Sequence, residues 1–184
     1  MLWNRFPCLD FVDSELSDHA GSGRRFDRLP LAEWQRAFLD HWGWAAPVPA
    51  GTKKVAELRA VRSRLRRLLE SAPRAATLAV ADVRSLDRLL AASPFVYRIA
   101  EPPRVVAEPL RRDWNWVVAE LVRSTIEVLR STAGRRLKVC ANPDCSWLFY
   151  DESLNLSRRW CQANICGNLV KVREHRARRR QQPR

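Results

Sequence analysis

Cys140-Ala141-Asn142-Pro143-Asp144-Cys145 and, after a spacer of fifteen residues, Cys161-Gln162-Ala163-Asn164-Ile165-Cys166 form two equally spaced cysteine pairs in the last third of the chain. Four thiolates match the tetrahedral shell of structural zinc, where Zn–S bonds near 2.3 Å set the sulfurs about 3.8 Å apart. Ala141 to Asp144 is a turn-forming quartet able to bend the backbone into a knuckle between the first two. The second pair is more constrained. In an unbroken α-helix, residues five apart lie about 7.5 Å along the axis and about 140° around it. Cys161 and Cys166 therefore need a break between them, and a helix is expected to start near Gly167-Asn168. That places the positive end of the helix beside an anionic zinc–thiolate centre. Four protein ligands leave no position for water or substrate, so one structural ion is expected.

Disulfides and unmetallated core cysteines are the competing readings. Trp3, Asn4 and Arg5 interrupt any apolar run near the start, so no secretory leader is expected. Cys8 makes the cysteine count odd, which fits a reducing compartment better than a secreted framework. Cys8 itself reads as a small buried apolar residue.

The run from Cys140 to Phe149, with Ser157-Arg158-Arg159-Trp160-Cys161 and Cys166-Gly167-Asn168, resembles the CGNR-type zinc finger at the C-terminus of bacterial transcription regulators. The resemblance implies zinc ligation by Cys140, Cys145, Cys161 and Cys166 in a treble-clef-like arrangement. One position departs from it: Leu169 stands where the motif has its arginine. Upstream, Leu9-Asp10-Phe11-Val12 is similar to the opening of the ABATE domain of stress-induced regulators, which usually precedes this finger. Together these imply a regulatory or dimerisation domain over residues 1–134 and a finger with a basic helix over 135–184.

Charge points the same way. The formal net charge is +13, with a pI near 10.8, so an anionic partner is expected. Residues 135–184 hold 12 Lys/Arg against 4 Asp/Glu, whereas residues 1–134 hold 21 against 16. On a helix from Asn168, Lys171, His175 and Arg178 share one face, with Arg173, Arg176 and Arg180 on the next, while Leu169 and Val172 can turn inward. Guanidinium groups suit phosphate oxygens and guanine edges. The candidate nucleic-acid contacts are Arg158, Arg159, Lys171, Arg173, Arg176, Arg178 and Arg179. Trp160 reads as a plug against the metal site. A solvated, partly disordered tail is the bland alternative beyond Arg178. The tail lacks the Trp/Phe/Leu face that an interfacial membrane helix would bury, and no run of eighteen apolar residues exists, so no membrane partner is expected.

Elsewhere, Leu31, Trp34, Phe38 and Trp42 recur at helical spacing and end at Gly43. Val55, Leu58, Val61, Leu65 and Leu68 mark a second helix, with Arg59, Arg62, Arg66 and Arg67 on its outer face. Val80, Val83, Leu86 and Leu90 mark a third, after a possible break at Pro73. Phe95–Ile99 and Arg104–Val106 predict a hairpin on a sheet edge. Trp114, Val117, Val118, Leu121, Thr125 and Leu129 define what reads as the longest helix, closed by Gly134. Leu137–Val139 and Trp147–Tyr150 flank the first cysteine pair as a second hairpin. The predicted fold is α+β and mostly helical, a helical N-terminal domain with a short β-hairpin followed by the small zinc module.

Trp34, Trp42 and Trp114 could line an effector pocket, with Trp44 and Trp116 nearby in sequence, or could fill a core or a dimer seam. Trp114 and Trp116 cannot both face one way on a helix, so one of them is expected at a surface or interface. No catalytic set assembles: His19, His41 and His175 are isolated, and Asp10, Asp13 and Glu15 read as caps or arginine partners rather than acid/base groups. The expectation is a non-enzymatic, cytoplasmic, nucleoid-associated transcriptional regulator that binds duplex DNA as a homodimer. The alternative is an RNA-binding or protein-interaction module whose zinc is purely structural.

Overall fold

A computed structural model describes residues 3–71, 78–130 and 135–181. The expected break at Pro73 and the helix closure at Gly134 lie outside the described residues.

Six helices and three two-stranded antiparallel ribbons follow one another along the described chain. Helix α1 (Pro7–Val12) is one buried turn, and Pro7 starts it at a position where a helix has no use for an N–H. Ribbon β1–β2 (Glu15–Ser17 with Arg25–Asp27) then leads through a loop into α2 (Ala32–Trp42). Helix α3 (Thr52–Ser71) and α4 (Val80–Ala91) follow, then β3–β4 (Phe95–Ala100 with Arg104–Pro109). Asp113 accepts from the N–H groups of Asn115 (2.8 Å) and Trp116 (3.1 Å), capping α5 (Trp114–Arg130). Ribbon β5–β6 (Leu137–Val139 with Leu148–Tyr150) and α6 (Asn168–Gln181) complete the chain.

The core forms where α1, α3 and α5 pack on one another, with α2 and α4 alongside. Leu58, Val61, Leu65, Leu68 and Leu69 of α3 share a core with Val117, Leu121, Val122 and Val128 of α5. Phe38 of α2 stacks on Trp34 and touches Phe11.

Several expectations fail for identifiable reasons. Arg62 and Arg66 are not on an outer face. Arg62 is buried and donates to Ser14 Oγ (2.9 Å) and Asp27 Oδ1 (2.6 Å), while Arg66 reaches Val12 O (3.3 Å) and Asp13 (3.5 Å). A stripe of arginines marks an outer face only if no buried acceptor lies within reach of its stems. Trp114 and Trp116 are both buried, because α5 is covered on more than one side. Trp114 donates to the Pro47 carbonyl (2.8 Å) and Trp116 packs on Trp44, so the loop after α2 supplies the second wall. Val80 and Val83 are exposed, and α4 packs through Leu86, Leu89 and Leu90 instead. Among the described residues α3 spans twenty residues and α5 seventeen. Among the described strands β3–β4 is an isolated ribbon rather than the edge of a larger sheet, and the sequence pattern gives no sign of β1–β2.

Candidate metal centre and basic helix

Between β5 and β6 the chain makes the expected knuckle, closed by Cys145 N–H donating to Asn142 O at 2.9 Å. Cys161 precedes a single π-helical turn, Ala163–Gly167, that carries Cys166 and runs directly into α6. Extended Gln162 separates Cys161 from that turn, so the two cysteines do not share one regular helix, in which residues five apart could not meet. All four Sγ atoms lie within 4.8 Å of one another, with Cys145–Cys161 at 3.8 Å and Cys161–Cys166 at 3.6 Å. Those separations fit the edges of a tetrahedron around zinc.

The electrostatics of the four sulfurs favour a cation. Cys140, accepting hydrogen bonds from Cys145 and Cys161, is pulled down to about 2, while Cys145, donating to Cys140, is pushed up to about 12. Cys161 is also pushed up, by the same donation and by the neighbouring negative charge. As bare thiols, Cys140 holds a negative charge at the expense of Cys145 and Cys161, whereas a divalent ion stabilises thiolates together. The surroundings suit thiolates too. Cys161 N–H points at Cys140 Sγ (3.5 Å) and Asn142 Nδ2 at Cys166 Sγ (3.6 Å). The donor set is four sulfurs with no open position, so one structural Zn²⁺ is held by Cys140, Cys145, Cys161 and Cys166.

The ribbon that carries the knuckle has two allegiances. Successive strand residues point to opposite faces. Leu137 and Leu148 therefore enter the main core, while Phe149 packs with the cysteines, Trp147 and Trp160. Asp13, pushed well above the ordinary carboxylate range by burial, accepts the Leu148 N–H (3.1 Å) and fixes the β6 backbone to the end of α1. Arg66 donates to the Ser146 carbonyl, and Arg28 lies between the Trp34 ring (5.8 Å) and the Trp147 ring (5.9 Å). On the finger's other side, Asp151 is buried. Burial works against its charge, but Lys138 and Ser153 outweigh it and hold the carboxyl below its usual range.

Asn142 is the functional residue the sequence reading passed over. It is fully buried, and besides Cys166 it donates to His19 O (3.3 Å) and accepts from Asp144 N–H (3.3 Å) and Arg173 (3.4 Å). In a turn-rich quartet its side chain reads as local chemistry, which conceals this role. Arg173 also pairs with Asp144 and donates to His19 O (3.2 Å). Both contacts close over Gly21, whose φ of +89° favours glycine and where a Cβ would come within 3.1 Å of the Arg173 and Asp144 side chains.

The seven candidate contacts fall into two groups. Arg158 and Arg173 are engaged within the finger: Arg158 donates to Trp160 O (3.0 Å) and Cys161 O and lies 4.7 Å over the Phe149 ring. Arg159 and Lys171 are exposed and flank Trp160, at 5.1 Å and 5.9 Å from its centroid. Trp160 itself packs against Gly167, where a Cβ would approach it at 3.3 Å. Arg176, Arg178 and Arg179 are exposed on α6. Val172 is exposed rather than packed inward. Of the aromatic trio, Trp34 and Trp114 are core residues, and Trp42 is half-buried with its indole N–H on Asp10 (3.2 Å).

Asp10 is raised by burial and also accepts from Asn4, so its carboxylate is used for packing the N-terminal segment. No described helix is long and apolar enough to cross a membrane. Curated proteins offer no match to this chain. The CGNR zinc finger model matches residues 136–179, and the ABATE model, described as "Putative stress-induced transcription regulator", matches residues 6–132. Neither is an enzyme family. On this evidence the chain belongs to the ABATE family of transcription regulators and carries a CGNR zinc finger at its C-terminal end.

Proposed function

We propose that this regulator binds duplex DNA through α6, which the zinc centre holds at a fixed angle to the body. One observation carries the reading. No described side chain of α6 is buried, yet the helix is anchored at its start by Cys166 and Arg173 and then presents Arg176, Arg178, Arg179 and Arg180 outward. A helix that rich in like charge repels itself unless an anion neutralises it. Arg159 and Lys171, held on either side of Trp160, extend the cationic surface to the finger. Arg158 and Arg173 serve as braces in this reading rather than as contacts.

The module at 135–184 is read as treble-clef-like, with one ligand pair in a knuckle and the other at a helix start. The unit at 1–134 dimerises, responds to an effector, or does both. One short helix covers few base pairs, so specific recognition calls for two copies. The setting that fits such a partner is the nucleoid. Electrophoretic retardation of duplex DNA by wild type and by Arg176→Ala/Arg179→Ala, over a salt series, tests the reading. Removing two phosphate contacts reduces the slope of log K against log salt by about 1.8. An unchanged slope removes α6 from the interface. Tighter binding of structured RNA at matched ionic strength moves the target class to RNA.

A further inference from the structure

Ribbon β3–β4 is the one element whose exposure the packing leaves unexplained. Its strands pair with each other, and among the described strands neither pairs with a third. A two-stranded ribbon alone is marginal in water and gains stability when further strands or a helix join it. One of its faces carries Phe95, Tyr97 and Ile99 opposite Pro109, Ala107 and Val105. Tyr97, Ile99 and Val105 are 81%, 82% and 69% exposed, large apolar groups in open water.

The β4 edge shows what covers it. Proteins blunt a free edge with a charge that repels a second copy of itself. β4 does the reverse, because its two charges are opposite in sign and four residues apart, at Arg104 and Glu108. In antiparallel self-pairing centred on Val106, Arg104 of one copy faces Glu108 of the other, twice over. Val105 faces Ala107, Val106 faces itself, and Pro103 falls opposite Pro109 at both ends. Proline has no N–H for a ladder, so these prolines bound the pairing to residues 104–108. β3 has no such complement, since Arg98 is its only charge. In the single chain Arg104 touches the Glu101 carbonyl (3.3 Å) and Glu108 pairs with Arg98 (3.2 Å), both on the exposed ribbon and able to accept a new partner.

We infer that β4 is the seam of a homodimer, in which a second copy of this chain pairs edge to edge with it to give a four-stranded sheet. On one face Val106 meets its own copy between two Arg104–Glu108 ion pairs. On the other, two Val105–Ala107 contacts are flanked by Tyr97 and Ile99 from both copies. The inference rests on the two-copy reading given above and names its surface.

Sedimentation of full-length protein tests it, using R104E, E108R and their equimolar mixture. R104E places two acids opposite two acids, and E108R places two bases opposite two bases. Each variant alone weakens the dimer about ten-fold or more. The mixture regains dimer mass, because an acid-only edge meets a base-only edge, and that recovery also shows both variants to be folded. Dimers that persist in both single variants overturn the seam but leave the two-copy reading intact. A mixture that stays monomeric also overturns the seam. A wild type that is monomeric both free and on duplex DNA overturns the seam and the two-copy reading together.

Discussion

Arg173→Ala separates a guanidinium that braces the finger from one that grips a ligand. In the wild type Arg173 pairs with Asp144 and donates to Asn142 (3.4 Å) and His19 O (3.2 Å). The ion pair is 38% and 35% exposed, so solvent screening limits it to about 0.5 kcal/mol. The two hydrogen bonds, one of them long, add about 1–1.5 kcal/mol together. Losing them makes undocking of α6 from the loop after β1 easier by about 2 kcal/mol, a factor of roughly 30 in the open population. Hydrogen exchange followed by mass spectrometry reads this as faster exchange in residues 18–24 and in α6, with the N-terminal core unaffected. Duplex binding weakens by a similar or smaller factor, while its salt dependence keeps the wild-type slope. A slope reduced by about 0.9, with exchange unchanged, makes Arg173 a phosphate contact and refutes the bracing argument.

Two further outcomes follow from the packing. Leu148→Ala removes a fully buried side chain at the point where the finger's ribbon enters the main core, and is expected to cost about 2–5 kcal/mol. Thermal melts followed by tryptophan fluorescence should show the N-terminal unit and the finger losing stability together, and a shift confined to the finger contradicts a shared core. Acid sensitivity should trace partly to Asp27. Burial pushes its carboxyl up, but Arg62 and Arg59 more than offset this and hold it below the ordinary value. A lowered folded-state value means that the stabilisation is fully present above the unfolded value of about 3.9 and is lost as pH falls below it. Asp27→Asn should lower stability at neutral pH and flatten the acid limb of a denaturation series, and an unaltered limb rules the Asp27 cluster out.

Much of this architecture can be read from the chain because its signals are local. The apolar spacing of Leu58, Val61, Leu65 and Leu68 describes α3, and the spacing of the cysteines describes the metal centre. Even the break before Gly167 follows from helical geometry, although its form as a π turn does not. What escapes the sequence is decided by partners far away in the chain. Arg62 and Arg66 follow the periodicity of an outer face, and only the return of Ser14, Asp27 and Ser146 to that side of α3 draws them in. Arg173 looks like any other arginine of the basic tail until Asp144 and His19 are placed beside it. Asn142 is hidden for a different reason, since a residue favoured in turns gives no hint that its amide is aimed at a thiolate. Trp114 and Trp116 mislead because one helix face accounts for only half of a helix walled on two sides.

The claim beneath all of this is that one metal ion holds the finger together. Structural zinc contributes about 10–16 kcal/mol to the folding of small modules, comparable to or above the whole stability of an ordinary domain. Elemental analysis of protein purified under reducing conditions, set beside the Cys161→Ser variant, measures that directly. The account predicts one zinc per wild-type chain, none in the variant, and loss of ordered β5–β6 and α6 with the metal. Protein without stoichiometric zinc, or a variant that keeps those elements folded, contradicts it.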